Sequence, residues 1–135
     1  MTQIWERLYL GSFADAQRLV RANPNGITTV ISLSESSVSA RRRDVNYRHI
    51  PIEDEKAVPV GQFEKVMDAI GKSIRWGTIL IHCGVGMSRA PSLTAGWMAA
   101  VGYKNLDDAL AEIQRLRPET NPSTTLLDSI RRHLA

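Results

Sequence analysis

Cysteine and histidine are scarce in this sequence of 135 residues. The single cysteine, Cys83, can form neither an internal disulfide nor a cysteine-rich zinc site. The three histidines, His49, His82 and His133, do not lie at metal-ligand spacing from one another. We therefore expect a protein that needs no metal and no cofactor.

Two further absences bear on location. No apolar run approaches the roughly 20 residues that a bilayer-spanning helix needs. The N-terminal sequence MTQIWERLYLGSF lacks the basic leader and the continuous apolar stretch of a signal peptide. These absences predict a cytoplasmic protein with no membrane partner.

The charge is mildly basic, with a formal net charge of +3, and much of the excess lies in a cluster of arginines. Arg41, Arg42, Arg43 and Arg48 could receive an anionic partner such as a phosphorylated peptide, or could belong to a solvated loop. The sequence leaves both interpretations open, so Arg41, Arg42 and Arg43 are possible substrate contacts. No aromatic residue that could stack on bases lies within the arginine run at 41–43, which argues against nucleic-acid binding.

Turn signals divide the chain into short strands and amphipathic helices. Ser12 and Asp15 have the spacing of a capping box, which predicts a helix whose apolar face extends to Val20. A later amphipathic stripe ends at Leu116. Strands are predicted at 8–12, 27–33, 46–52 and 78–82, and further helices at 60–75, 90–101, 105–118 and 122–134.

The alternation of strands and helices predicts an α/β fold, with a central, mostly parallel sheet of about four to five strands flanked by helices. The run TILIH (78–82) is apolar enough for a central strand that is covered on both faces. The length suits one domain, and no repeat or linker divides the chain. We expect residues 1–135 to form a single domain.

The segment ILIHCGVGMSRAPS (79–92) places the only thiol between a strand and the start of a helix. Glycines at 84 and 86 allow the backbone to curl, so that successive N–H groups can point at one anion near the helix N-terminus. Arg89 can add a bidentate contact to two phosphate-type oxygens. The same donors would stabilise a thiolate at Cys83.

Two simpler interpretations compete with this one. Cys83 could be an inert core cysteine, but such a residue needs none of these neighbours. The tripeptide GKS at 71–73 resembles part of a nucleotide-binding loop, yet that motif requires glycine where Val66 stands, inside an amphipathic helix. We therefore reject the nucleotide-binding reading.

The stretch HCGVGMSRAPS resembles the His-Cys-x5-Arg signature of cysteine-dependent protein tyrosine phosphatases, and its SRAPS continuation is most similar to the dual-specificity branch. LYLGSFADA, ITTVISL, YRHIPIED and GYKNLDDALAEIQRLRP also fall where that family has counterparts, so the resemblance covers nearly the whole chain. It implies a protein tyrosine phosphatase-like fold and an active-site pocket shallow enough for phosphoserine and phosphothreonine as well as phosphotyrosine.

The resemblance also implies residue roles. Cys83 would attack phosphorus to form a cysteinyl phosphate, His82 would support the loop, and Ser88 would hydrogen-bond the thiolate as it leaves. The phosphate would be bound by the loop at Gly84, Val85, Gly86, Met87, Ser88 and Arg89. Asp54 in IPIEDE matches the position of the general acid, although Glu53 and Glu55 flank it and sequence alone does not separate three adjacent carboxylates.

These residues predict a protein phosphatase that acts as a monomer on a phosphorylated protein or peptide. The alternatives are the same chemistry on a non-protein phosphate, such as an RNA 5′-phosphate, an inositol lipid or a glucan, or a phosphate-binding module without turnover. Lipid phosphatases of the superfamily place lysines in the loop, and GVGMS (84–88) has none. A pure binding module would not need a nucleophile aligned with an acid.

Overall fold

A computed structural model describes residues 1–135 as a five-stranded sheet with helices on both faces. The strands are β1 (Thr2–Trp5), β2 (Leu8–Gly11), β3 (Ile27–Ser32), β4 (Asn46–His49) and β5 (Thr78–His82). The helices are α1 (Phe13–Arg18), α2 (Val60–Ile74), α3 (Arg89–Ala100), α4 (Leu106–Leu116) and α5 (Thr124–Leu134). None of the helices combines the length and the apolarity that a bilayer-spanning segment requires.

The spatial order of the strands is β1-β2-β5-β3-β4, and only the β1–β2 pair is antiparallel. The predicted α/β class with a mostly parallel sheet is confirmed. Strand β1 was not predicted, because an edge strand of four residues carries too few side chains to set up a pattern. The strand predicted at 46–52 ends at His49, ahead of Pro51, which has no N–H to donate to a ladder.

Strand β5 is buried on both faces, as its apolar sequence predicts. Ile79 and Ile81 belong to the larger core cluster, which lies under α2, α3, α4 and α5, whereas Leu80 belongs to a smaller cluster under α1. Successive side chains of a strand point to opposite faces, so this division follows from the strand geometry. The C-terminal end of β5 therefore delivers His82 and Cys83 to the edge of a sheet held from both sides.

The predicted helices are present with ends shifted by one or two residues, and two apolar side chains assigned to their buried faces are exposed instead. The capping box at Ser12 and Asp15 is present, but α1 ends at Arg18 and Val20 is exposed rather than part of the buried face. Leu116, the last residue of the predicted stripe on α4, is 46% exposed. Val20 lies two residues beyond the end of α1 and Leu116 is the last residue of α4, so no following helical turn holds either side chain against the core.

Candidate active site

His82, the last residue of β5, supports the segment that follows it. Its ring is fully buried, with Nε2 2.7 Å from Ser32 Oγ and Nδ1 3.2 Å from the carbonyl oxygen of Cys83. Phe13 packs edge-on against the ring at a centroid distance of 5.8 Å. Burial lowers the pKa of His82 below its ordinary value of 6.5, so the ring is neutral at neutral pH.

The carbonyl oxygens of residues 83–88, which we call the Cys83 loop, are all bonded to groups outside the loop or further along the chain. The Cys83 oxygen contacts the His82 ring, and the Gly84 oxygen accepts from the Phe13 N–H at 2.9 Å. The oxygens of Val85, Gly86, Met87 and Ser88 accept, in that order, from Arg117 Nη2, Arg117 Nε, the Asn121 N–H and the Ser92 N–H. The peptide planes of the loop are held in one orientation by these bonds.

The N–H groups of residues 84–88 donate no hydrogen bond within the protein. They belong to no helix or strand, and the outward bonds of their carbonyls leave them on the inner side of the loop. Helix α3 begins immediately afterwards at Arg89, with its positive dipole end at the loop. Five successive unpaired backbone donors beside a helix N-terminus suit the binding of a tetrahedral oxyanion.

Cys83 lies at the base of this loop with 2% of its surface exposed. The N–H of Ala90 lies 3.4 Å from its sulfur and is the one hydrogen-bond donor to it. Ser88, predicted to bond the thiolate, instead accepts a hydrogen bond from the N–H of Ser123 at 3.1 Å, and no hydrogen bond joins it to Cys83. As an acceptor in that bond, the Ser88 hydroxyl retains its own proton to donate.

Arg89 is 92% buried, and its guanidinium is only partly satisfied by the protein. Nη1 donates to the carbonyl oxygen of Ile52 at 3.0 Å, which ties the start of α3 to the segment after β4. Nε is buried without a hydrogen-bond partner, although it lies 3.8 Å from Asp54 Oδ1, an ion-pair distance. A buried guanidinium N–H without a partner is costly unless an anion supplies the missing acceptor.

The structure separates the three adjacent carboxylates. Asp54 faces Arg89 and is half-exposed, whereas Glu53 points away and pairs with Lys56 at 3.4 Å. Glu55 has a φ of 59°, the one non-glycine residue in the left-handed region, and its N–H donates to Asp54 Oδ1 at 3.0 Å. This tight turn orients the Asp54 carboxylate toward the Cys83 loop.

The arginine run lies beside α1, and two of its members have structural partners. Arg42 donates to the carbonyl oxygen of Leu19 at 2.9 Å and pairs with Asp44 at 3.0 Å. Arg41 donates to the carbonyl oxygen of Val38, and its guanidinium lies 5.1 Å from the centre of the Tyr47 ring. Arg43 is exposed and makes no salt bridge. Arg41 and Arg42 thus anchor the loop before β4.

Arg117 is the residue of this site that sequence reasoning missed. It is 94% buried and has no carboxylate partner. Nε donates to the carbonyl oxygen of Gly86 at 2.9 Å, and Nη1 donates to Thr2 Oγ1 at 2.6 Å. The sequence offers one signal, an arginine directly before the Pro118 that ends α4, but nothing in that position indicates a contact with a loop 31 residues earlier.

The mouth of the site is a groove of about 380 Å³, lined by Phe13, Ser34, Glu35, Ser36, Asp54, Gly84 and Arg89. It brings together Arg89, Asp54 and Gly84, the first residue after the thiol, whereas Val85, Met87 and Ser88 line a neighbouring groove that shares Asp54. No group of three or more His, Cys, Asp or Glu side chains has an arrangement that could hold a metal ion.

Residues 8–134 match the family model described as "Dual specificity phosphatase, catalytic domain". The chain belongs to this family. Dual specificity protein phosphatase 15 from Homo sapiens is 33% identical over 118 residues, which are 86% of this chain and 40% of that protein. Dual specificity protein phosphatase 18 from Bos taurus is 28% identical over 128 residues, which are 91% of this chain and 66% of that protein.

A crystal structure of DUSP15 superposes on this dual specificity phosphatase domain with a TM-score of 0.82 at 31% sequence identity, covering 99% of this chain and 84% of that one. The resemblance inferred from HCGVGMSRAPS and the predicted protein tyrosine phosphatase-like fold are confirmed. The chain spans about half the length of the curated relatives it matches first, 40% to 53% of the human, mouse and rat forms of dual specificity protein phosphatase 15.

Proposed function

We propose that residues 1–135 form one catalytic domain that removes phosphate from phosphotyrosine, and from phosphoserine or phosphothreonine, in proteins. The observation that carries the proposal is the set of unpaired N–H groups at 84–88 around a loop that begins with the only thiol. Membership of the dual specificity phosphatase family supports the same chemistry. The expected monomeric state and cytoplasmic location stay predictions.

In the first step, the Cys83 thiolate attacks phosphorus, an S–P bond forms and the ester P–O bond breaks. The N–H groups of the loop and the Arg89 guanidinium hold the equatorial oxygens, where negative charge builds in the transition state. Asp54, facing Arg89 across the mouth, donates its proton to the leaving oxygen of the substrate. The dephosphorylated alcohol or phenol then departs.

In the second step, Asp54 accepts a proton from a water molecule, which attacks phosphorus. The S–P bond breaks, inorganic phosphate forms and the thiolate of Cys83 is regenerated. The Ala90 N–H, 3.4 Å from the sulfur, stabilises the departing thiolate. We propose that the Ser88 hydroxyl adds to this stabilisation by donating its proton in a hydrogen bond to the thiolate, while its oxygen still accepts from the Ser123 N–H.

The test is phosphate release from matched phosphotyrosine and phosphothreonine peptides in EDTA, with Cys83→Ser in parallel. We expect the parent protein to hydrolyse both peptides and the variant neither, because a serine hydroxyl stays protonated in the first step, in which Asp54 acts as the acid, and is then a weak nucleophile. Hydrolysis of phosphotyrosine alone would narrow the substrate class and leave the mechanism in place. Failure with both peptides would overturn the protein-phosphatase proposal in favour of a non-protein phosphate or a binding role.

A further inference from the structure

Two surface grooves flank the mouth of the site and carry charges of opposite sign. The α1 groove, about 720 Å³, touches the Cys83 loop at Gly84, and its charged lining residues are Arg18 and Arg21. The acid-loop groove, about 520 Å³, touches the loop at Val85, Met87 and Ser88. The charged residues of that second groove are Asp54 and Glu55.

The mouth lies between these grooves. It shares Phe13 and Gly84 with the α1 groove and Asp54 with the acid-loop groove. A phosphorylated residue bound at Arg89 would therefore send the peptide on one side of it toward α1 and the peptide on its other side toward the acid loop. Glu35 adds a carboxylate to the mouth itself and belongs to neither groove.

The charges of the α1 groove are only partly neutralised within the protein. Asp15 lies 3.1 Å from Arg18 and 3.4 Å from the N-terminal ammonium group, so that one carboxylate serves two cations. Arg21 is exposed and takes part in no salt bridge. An exposed apolar side chain, Val20, lies beside these arginines in the groove.

The acid-loop groove carries an excess of negative charge instead. Asp54 is opposed by Arg89, whose charge a bound phosphate would neutralise. Glu55 is exposed and makes no salt bridge, because Lys56 pairs with Glu53 instead. The remaining lining residues are uncharged, among them Ser88, Asn121 and Ser123.

We propose that the two grooves bind the peptide on opposite sides of the phosphorylated residue and select a charge-asymmetric substrate. The favoured peptide carries acidic residues on the side that lies in the α1 groove and neutral or basic residues on the side that lies against Glu55. The inference rests on the proposed phosphatase function and names the substrate class of that same site.

Helix geometry indicates how far from the phosphorylated residue the acidic residues of the peptide should stand. Phe13, whose N–H bonds the Gly84 oxygen, is the first residue of α1, and a helical rise of about 1.5 Å per residue places Arg18 roughly 8 Å further on. Arg21 follows three residues later, in the turn after the helix. An extended peptide advances about 3.4 Å per residue. The acidic residues should therefore stand about two to four positions from the phosphorylated residue.

The experiment compares two phosphotyrosine peptides of identical composition and net charge, Glu-Glu-Ala-pTyr-Ala-Lys-Lys and Lys-Lys-Ala-pTyr-Ala-Glu-Glu. Because their net charges are equal, the protein's overall positive charge cannot distinguish them. We expect their kcat/KM values to differ by about 5-fold, the effect of several exposed ion pairs. The difference should shrink toward unity in 0.5 M NaCl, since exposed pairs are screened.

Charge-reversal variants test which residues cause the preference between the two peptides. Arg21→Glu and Glu55→Lys should each abolish or invert the preference between the two peptides. Arg75→Glu is the matched control, because Arg75 is an exposed arginine at the C-terminal end of α2, which precedes β5 and lies at the opposite end of the sheet from Cys83. This control should keep the parent ratio.

The outcomes distinguish a failure of the charge-asymmetric surface from a failure of the proposed phosphatase function. Equal rates for both peptides, or a ratio that Arg21→Glu and Glu55→Lys leave unchanged, would overturn the charge-asymmetric surface while the phosphatase proposal stands. Turnover of p-nitrophenyl phosphate with neither peptide hydrolysed would overturn both the charge-asymmetric surface and the action on proteins, while the phosphate-ester chemistry stands. Loss of all turnover, p-nitrophenyl phosphate included, would instead overturn the phosphatase function.

Discussion

At the scale of single residues, Asp54 is distinguished from Glu53 and Glu55 by what its carboxylate faces. It lies 3.8 Å from Arg89 Nε and accepts the N–H of Glu55, which orients it toward the mouth. A group so placed can transfer a proton to a substrate oxygen held at Arg89. The carboxylate of Glu53, paired with Lys56, has no such position.

We predict that Asp54→Asn lowers kcat for phosphate esters with poor leaving groups by about 100-fold, because an amide cannot supply the proton. The measurement is kcat for a series of aryl phosphates of increasing leaving-group pKa, together with the pH profile of the rate. The loss should be smallest for p-nitrophenyl phosphate, whose leaving group needs little protonation. Glu53→Gln is the control and should retain parent rates; an unchanged leaving-group dependence in Asp54→Asn would contradict the assignment.

Arg117 acts through the Cys83 loop rather than on the substrate, which makes it a positioning residue. Its bonds to the oxygens of Gly86 and Val85 turn those carbonyls outward and so hold the neighbouring N–H groups inward. Its third bond, to Thr2 Oγ1, fastens the loop to β1. The buried guanidinium also adds positive charge behind the anion site without a carboxylate to cancel it.

We predict that Arg117→Met lowers kcat/KM by about 100-fold, since a small displacement of the loop donors weakens transition-state binding. The inhibition constant of inorganic phosphate should rise in the same variant, a readout that a loss of stability alone would not move. Arg115→Met, which removes an exposed arginine from the last turn of α4, two residues before Arg117, is the matched control. A folded Arg117→Met protein with parent phosphate affinity would refute the positioning role.

At the scale of elements, the site is the junction of β5, the Cys83 loop and α3. Helix α3 is buried along most of its length, from Arg89 to Met98, and so cannot shift without disturbing the core. The loop makes its tightest turn at Gly86, where φ is +76°. A Cβ at this position would lie 2.7 Å from Arg117 Nη2 and 2.8 Å from the carbonyl carbon of Gly11.

We predict that Gly86→Ala lowers kcat/KM by about 100-fold, because the loop must move away from Gly11 and Arg117 and its donors lose their alignment. Gly26→Ala is the matched control, since Gly26 also has a positive φ, +66°, but a Cβ there would meet nothing within 4 Å. The control should lose about 1 kcal/mol of stability from backbone strain and keep its activity. Steady-state kinetics and denaturant unfolding of both variants check the prediction, and equal activities would contradict it.

At the scale of the whole molecule, the buried ring of His82 links the active-site loop to global stability. Its pKa is lowered chiefly by burial, so the folded state disfavours the protonated ring. Below pH 6.5 the unfolded chain binds a proton that the folded chain does not, and acid therefore favours unfolding. Above that pH the ring is neutral in both states and adds no pH dependence.

We predict that the free energy of unfolding decreases as the pH falls below 6.5, with a contribution from His82 of at most about 1.4 kcal/mol per pH unit. Urea unfolding at a series of pH values between 5 and 8 measures the slope. His82→Asn, less stable at every pH because it loses the ring contacts, should lack this component of the slope. Identical slopes for the two proteins between pH 5 and 6.5 would show that another group is responsible.

Local patterns in the sequence were sufficient for the fold class and for the strand–loop–helix segment around Cys83. The strand TILIH, the capping box at Ser12 and Asp15 and the helix predicted at 90–101 are each encoded within a few neighbouring residues, so the sequence predicted them correctly to within one residue. The strand predicted at 46–52 was too long, and β1 escaped notice. Both lie at edges of the sheet, where pairing depends on the partner strand more than on the strand itself.

The residues of the loop are predicted from a short stretch of sequence, because a thiol, two glycines and an arginine lie within eleven residues between a buried strand and a helix. Three other features depend on how the chain packs: Asp54 is the carboxylate that faces Arg89, Arg117 bonds the loop from 31 residues away, and Arg18 and Arg21, not Arg41 and Arg42, line a groove at the mouth. The difference comes from distance along the chain. Residue type and local periodicity are written in short segments, whereas the partner of a charged side chain depends on which distant segments the packed core brings together.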